Sequence, residues 1–234
     1  MSSPATVQRT RIKVCGLTRE HDVDAAVHAG ADAVGFVMYP KSPRYVTPQR
    51  ALELARRLPP FVTPVLLFVD EAPAIVMAAC EQVRGSIVQF HGNETPAQCL
   101  EATAGGRRPF IRVARIPQDD TPFDLLEFAS DHASAQAILL DAHVEGFGGA
   151  GKTFNWSRLP PSVNCHLVLS GGLTPANVID GIVQVRPRGK TLAVDVSSGV
   201  EVSATGGGTL KGIKDPEKII QFVAAVRAAD ALLA

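Results

Sequence analysis

The sequence predicts an α/β protein built as a single (β/α)8 barrel, and three observations lead there. Short apolar, β-branched runs recur eight times, amphipathic stretches separate most of them, and residues suited to chemistry follow at least five of the runs. Eight alternating units imply parallel strands with right-handed crossovers, and 234 residues, about 29 per unit, suit closure into one barrel. An open doubly wound sheet is the competing architecture, but such a sheet gathers its ligand at one switch point. A barrel brings every strand end to one mouth, which fits the spread of candidate residues better. One domain is expected over residues 1–234, with residues 1–10 as a flexible N-terminal extension.

The strand candidates in order are RIKVC (11–15), AVGFVM (33–38), VTPVLLFV (62–69), SIVQF (86–90), FIRVAR (110–115), AILLD (137–141), HLVLSG (166–171) and TLAVDV (191–196). Helical signals follow the first four: HDVDAAVHAG, TPQRALELARRL, EAPAIVMAACEQV and TPAQCLEATAGG. TPANVIDGIV follows the seventh, and DPEKIIQFVAAVRAADALLA closes the chain. Several open with Thr-Pro or Asp-Pro, where the polar side chain accepts from an orphan N–H and proline takes the first helical position. After the sixth strand, NWSRLPPS carries two prolines and leaves room for a turn or two, so the sixth helix is expected to be shortened or irregular.

Composition narrows the function. Hydrophobic residues reach 46% with only 6% aromatics, so the core is built mostly from Val, Ile, Leu and Ala, as in buried parallel strands. Lys plus Arg and Asp plus Glu each total 23, which offers no footprint for nucleic acid or an anionic membrane surface but leaves room for a local phosphate site. Cys15, Cys80, Cys99 and Cys165 form no CxxC pair, and no histidine lies at zinc spacing, so no metal is expected. The first ten residues lack the apolar core of a secretory signal, and no later stretch reaches the ~18 apolar residues of a membrane span. A cytoplasmic protein with reduced thiols is expected.

The candidate chemistry sits at strand ends. The run ILLD ends in Asp141, and a glycine-rich stretch, GFGGAGK, follows it closely; an acid there serves either chemistry or a turn cap. Cys15 ends the first strand in KVCGLT, where an electropositive surrounding would bring its thiol into the range of a general base. The other three cysteines read as inert core residues. SGGLTPANV and DVSSGVE follow strands seven and eight, the positions where barrels commonly hold phosphate on backbone N–H groups, and glycines permit close approach. YPKSPRYV offers Lys41 and Arg44, and a guanidinium beside the mouth can pair with a carboxylate through two parallel hydrogen bonds. His91 in QFHGNE reads equally as a mouth residue or a capping donor. Asp195 reads as a ligand-orienting group or a partner for backbone donors, and Arg112 points either into the barrel or out between the helices.

With KVCGLT, GFVMYPKSPRYV, LLFVDE, VQFHGNE, LLDAHVEGFGGAGKTFNW, SGGLTPANV and DVSSGVE in this order, nearly the whole chain resembles the phosphoribosylanthranilate isomerase family. The resemblance implies a (β/α)8 TIM barrel that performs an Amadori rearrangement of N-(5-phosphoribosyl)anthranilate in tryptophan biosynthesis without metal or organic cofactor. It implies Cys15 as general base, Asp141 as general acid and Arg44 as the partner of the anthranilate carboxylate. Gly171, Gly172, Ser198 and Gly199 then match the phosphate loops, and Asp195 the aspartate ending strand eight. His91 is counted with the substrate-binding residues. The implied partner is a small phosphosugar, with no nucleic acid or membrane, and monomer and homodimer both remain open. Two departures stand out: Ala150 replaces a usual threonine, and the segment EVSATGGGTLKGIKDPEK is longer than the family's connection there. That insertion, near residues 203–212, reads as a lid, an ornament or slack, the last two favoured. The alternative function is another phosphosugar isomerase of the histidine-pathway type, or both activities in one barrel. That relative carries an aspartate where Cys15 stands, which argues against it.

Overall fold

The computed structural model describes residues 9–119, 121–142 and 153–234. Eight parallel strands form a closed barrel in sequence order: β1 Arg11–Cys15, β2 Ala33–Val37, β3 Thr63–Phe68, β4 Ile87–Phe90, β5 Phe110–Ile116, β6 Ala137–Ala142, β7 His166–Leu169 and β8 Thr191–Val196. The expected (β/α)8 architecture is therefore correct, and each strand falls within a residue of its apolar run at either end except β7, which stops two residues short at Leu169. Helices α1 Glu20–Ala29, α2 Pro48–Ala55, α3 Pro73–Gln82, α4 Pro96–Ala102, α5 Leu125–Asp131, α6 Val178–Val185 and α7 Pro216–Leu232 clothe the outside.

The caps explain where most helices start. Thr47 and Thr95 accept from the backbone N–H three residues on, Thr95 in a reciprocal box with Gln98, and Asp215 caps α7. α6 departs from the expected Thr-Pro start and begins at Val178, because Asn177 folds back: its Oδ1 accepts from Thr174 N and its Nδ2 donates to the Gly172 carbonyl. α5, capped by Asp124, had no proline and spans only seven residues, so its sequence signal was too weak to read. Between β6 and β7 the described residues hold only a 3-10 turn, Trp156–Arg158, as the proline pair required. Phe154, Trp156, Leu159 and Val163 are buried there and fill the space of the sixth helix, with Trp156 against Gly181 of α6.

Two cores result from the strand alternation. Outward residues such as Val14, Phe36, Phe68, Phe90 and Leu140 pack under the helices, while Ile111, Val113, Leu139 and Val168 fill the barrel interior. Arg112 belongs to the outer set. Its guanidinium donates to the carbonyls of Phe90, Val113, Gly92 and Glu94, lies 3.4 Å from the Glu94 carboxylate and stands over Phe128. It thereby ties the loop after β4 to β5 from outside.

The insertion after β8 is not slack. It forms an antiparallel hairpin, β9 Glu201–Ser203 and β10 Thr209–Lys214, turned by Gly206, Gly207 and Gly208 at positive φ. At the opposite end of the barrel, a cavity of about 460 Å³ lies between α5 and the starts of β6 to β8, lined by His132, Cys165, His166 and Lys190 among others.

His132 is buried with its ring 4.6 Å from Phe128, and its Nδ1 has no partner. Burial, helped by the nearby Arg112 charge, pushes its pKa down to about 4 from an ordinary 6.5. The unfolded chain therefore binds this proton first, so stability held above pH 6.5 drains as pH falls from 6.5 towards 4. His132→Phe should lack that loss. Melting temperatures of the two proteins measured across this window should diverge as pH falls, and parallel curves would refute the assignment.

Candidate active site

The C-terminal ends of the strands gather the candidate residues on one rim. In rim order, β6 brings Asp141, β7 the loop of Gly171 and Gly172, β8 the turn of Ser198 and Gly199, β1 Cys15, and the loop after β2 Arg44. Asp141 and Cys15 thus flank the two glycine loops, and Arg44 stands beyond Cys15.

Cys15 lies over a buried ion pair. Register sets Lys13 opposite Asp195 and Cys15 opposite Gly35, and neighbours in register on parallel strands share a face. Lys13 Nζ and Asp195 Oδ1 are 2.8 Å apart, both groups about 95% buried. Gly35 makes room for them: a Cβ there would come within 2.6 Å of Cys15 Sγ and 3.1 Å of Lys13 Cε. Burial pushes the Cys15 thiol pKa above its ordinary value, against which Lys13 and Lys214 pull it down. The electropositive surrounding that the sequence suggested is present, but desolvation in the barrel interior outweighs the two ammonium groups. Asp195 itself serves chiefly Lys13, with Ser170 Oγ also 3.4 Å away, and Lys13 is a residue the sequence reading passed over as ordinary strand.

Asp141 is held by a chain of hydrogen bonds. His91 Nε2 stands 3.0 Å from Asp141 Oδ2, and Gln89 Nε2 lies 3.2 Å from His91 Nδ1. As drawn, the Gln89 amide donates to Nδ1, which leaves the proton on Nε2 to be donated to the carboxylate. All three side chains are at least nine-tenths buried. His91 is therefore a mouth residue and not a cap. Period-two alternation could have flagged Gln89, a polar residue two before His91 on the same face.

The glycine loops supply donors. The amides of Gly171, Gly172, Ser198 and Gly199 donate to no acceptor among the described residues. The two loops touch, since a Cβ on Gly199 would overlap the Leu173 carbonyl. Gly171, at φ +78°, lies so close to β6 that a Cβ would come within 2.9 Å of Asp141 Oδ1. Four N–H groups without a partner among the described residues, beside Asp141, suit a small dense anion.

Arg44 is buried, its stem crossing Gly16, the residue after Cys15. Its fork is already engaged: Nε and Nη2 reach Glu201 Oε1 and Oε2 at 2.7 and 2.8 Å. Lys41 is exposed. The glycine-rich stretch 146–152, with Ala150, lies outside the described residues, as do residues 1–8.

Comparison with known proteins adds identity to this geometry. The family model described as N-(5'phosphoribosyl)anthranilate (PRA) isomerase matches residues 12–225. The N-(5'-phosphoribosyl)anthranilate isomerase of Leptothrix cholodnii is 59% identical over 229 residues, 98% of this chain and 94% of that one. Its counterpart in Methylibium petroleiphilum is 59% identical over 97% of this chain and 98% of that one. Among solved structures, the Thermotoga maritima phosphoribosyl anthranilate isomerase superposes with a TM-score of 0.80 at 38% identity, covering 94% and 99% of the two chains. A further isomerase of this name, in complex with reduced 1-(o-carboxyphenylamino)-1-deoxyribulose 5-phosphate, gives a TM-score of 0.74 at 35% identity over the same shares. No helix among the described residues is long and apolar enough to cross a membrane. The chain belongs to the N-(5'-phosphoribosyl)anthranilate isomerase family.

Proposed function

We infer that this chain catalyses the Amadori rearrangement of N-(5-phosphoribosyl)anthranilate to 1-(2-carboxyphenylamino)-1-deoxyribulose 5-phosphate, a step of tryptophan biosynthesis carried out in the cytoplasm by one barrel domain. The observation that carries the reading is the rim order: an acid and a base on either side of four free amides, with an arginine beyond the base. That arrangement suits a substrate whose phosphate sits on the amides between Asp141 and Cys15, whose sugar spans the mouth between those two side chains, and whose carboxylate reaches Arg44 beyond Cys15. A similar structure with a reduced product bound supports a phosphosugar ligand.

Each step follows from a named group. The backbone N–H groups of Gly171, Gly172, Ser198 and Gly199 hold the phosphate. Asp141, in its protonated form, gives its proton to the furanose oxygen as the C–O bond breaks, and the anilino nitrogen supplies the electrons that form the Schiff base. Cys15, as thiolate, takes the proton from the neighbouring sugar carbon, and the resulting enolamine tautomerises to the ketone. His91 holds Asp141 Oδ2 and reloads it, and rotating the Gln89 amide would let its unpartnered Oε1 accept from a protonated Nδ1. Lys13 favours the thiolate. Arg44 fixes the aryl carboxylate, and Asp195 fixes Lys13.

The test is loss of anthranilate-type fluorescence when purified protein meets freshly generated phosphoribosylanthranilate. Cys15→Ser and Asp141→Asn should each lower kcat by about 10²–10⁴-fold with unchanged circular dichroism. Near wild-type turnover in either would remove that residue from its role, and no turnover by the unaltered protein would send the assay to the histidine-pathway substrate.

Lys13→Met should cost about 3–5 kcal/mol of stability by leaving Asp195 buried and alone. Removing the charge that pulls the thiol pKa down should also raise it further, moving the pH profile of Cys15 alkylation, followed by mass spectrometry of its peptide, to higher pH. An unmoved profile would show that Lys13 only holds the barrel closed.

A further inference from the structure

We propose that Glu201 and Lys214, carried by the β9–β10 hairpin, are positioning residues that set the carboxylate specificity of Arg44: they clamp its fork and leave one guanidinium nitrogen for a single anionic group of the substrate. The proposal rests on the isomerase reading in taking that group as the aryl carboxylate.

Three observations carry it. First, the clamp is saturated. Glu201 is fully buried, and its two oxygens accept from Arg44 Nε and Nη2, Thr209 Oγ1, Gly212 N and Lys214 Nζ at 2.7 to 3.2 Å. With every lone pair engaged, the carboxylate cannot swing away, so the plane of the Arg44 guanidinium is set before any ligand arrives. Of its three nitrogens, Nη1 alone has no partner among the described residues.

Second, with Cys15 in its neutral thiol form the cluster carries an uncompensated charge. Arg44 and Lys214 are two buried cations against the one anion Glu201. Asp22, whose carboxylate meets the Lys214 backbone N–H, is already matched by Arg19, and Asp195 by Lys13. A buried charge without a counterion is costly. One bound carboxylate would neutralise it.

Third, the hairpin is fitted to the arginine. Gly212 has φ +81°, and a Cβ there would come within 3.3 Å of the Pro43 carbonyl and 3.8 Å of Arg44 Cγ. Thr18 Oγ1 also donates to the Gly212 carbonyl at 2.8 Å. Lys214 Nζ ties the far end to the Ser197 carbonyl, next to the phosphate turn. The segment that looked like slack thus joins the carboxylate end of the mouth to the phosphate end.

The experiment compares binding of reduced 1-(2-carboxyphenylamino)-1-deoxyribulose 5-phosphate with its anilino counterpart lacking the carboxyl group. Ribose 5-phosphate serves as a probe of the phosphate end. The unaltered protein should prefer the carboxylated compound by about 10–100-fold, the worth of one hydrogen bond between charged groups. Glu201→Gln and the charge-restoring double variant Glu201→Gln/Lys214→Met should each lose most of that preference. Both should raise KM for phosphoribosylanthranilate more than they lower kcat, and both should still bind ribose 5-phosphate. If the unaltered protein shows no preference, the assignment of Arg44 to the carboxylate fails. If the unaltered protein discriminates and cooperatively melting variants discriminate equally, the clamp alone is overturned. Failure of both variants to fold would make Glu201 a structural residue and would also overturn it.

Discussion

Where β8 closes on β1, one buried ion pair fits a single register of the two strands, and most of the site depends on that register. Lys13 and Asp195 meet in register at 2.8 Å with almost no contact with water. A pair so buried contributes little net stability, because desolvating both ions offsets their attraction. Its value is in what it specifies. Slipping β1 by one residue would turn Lys13 and Cys15 outward together and place Ile12 and Val14 in the barrel, so the pair and the thiol share one register. The same ammonium also favours the charged form of the Cys15 thiol above it.

Outside the barrel wall, two arginines hold the loops that the strands cannot. Arg112 offers four donor contacts to carbonyls around the loop after β4, and Glu94 in that loop accepts from the amides of Asp70 and Gly92. That network sets the path of the chain just past His91, and through His91 the position of the acid. Arg44 is held in turn by the hairpin. The Asp141 side and the Arg44 side of the mouth are each braced by charge buried outside the barrel lumen. The interior below is plain aliphatic packing around Ile111, Val113, Leu139 and Val168.

Some of this was legible in the chain and some was not. The eight strands were readable because buried parallel strands need continuous β-branched runs, and the ends of those runs named Cys15 and Asp141. Three helix starts were readable because Thr-Pro and Asp-Pro act locally. α5 escaped because seven residues with one fully buried side chain leave almost no period to detect. α6 was misplaced by a side chain, Asn177, that reached back five residues to a carbonyl. The hairpin escaped because its strands are short and its turn is a run of glycines that by composition reads as linker.

The sequence by itself determined the order of the eight barrel strands, the barrel, Cys15 and Asp141 as candidate residues at strand ends, and the glycines of the loops after β7 and β8. Those are set by local periodicity and by residue chemistry at strand ends. Only the tertiary structure decided the partners: Lys13 with Asp195 across 182 residues, Arg44 with Glu201 across 157, and His91 with Asp141 across 50. It also decided the direction of the Cys15 thiol pKa, since burial is a property of the folded barrel and not of the five residues that end in the cysteine. Ion pairs between distant residues leave no local pattern in a chain, because each partner alone looks like any other surface charge until closure of the barrel buries both.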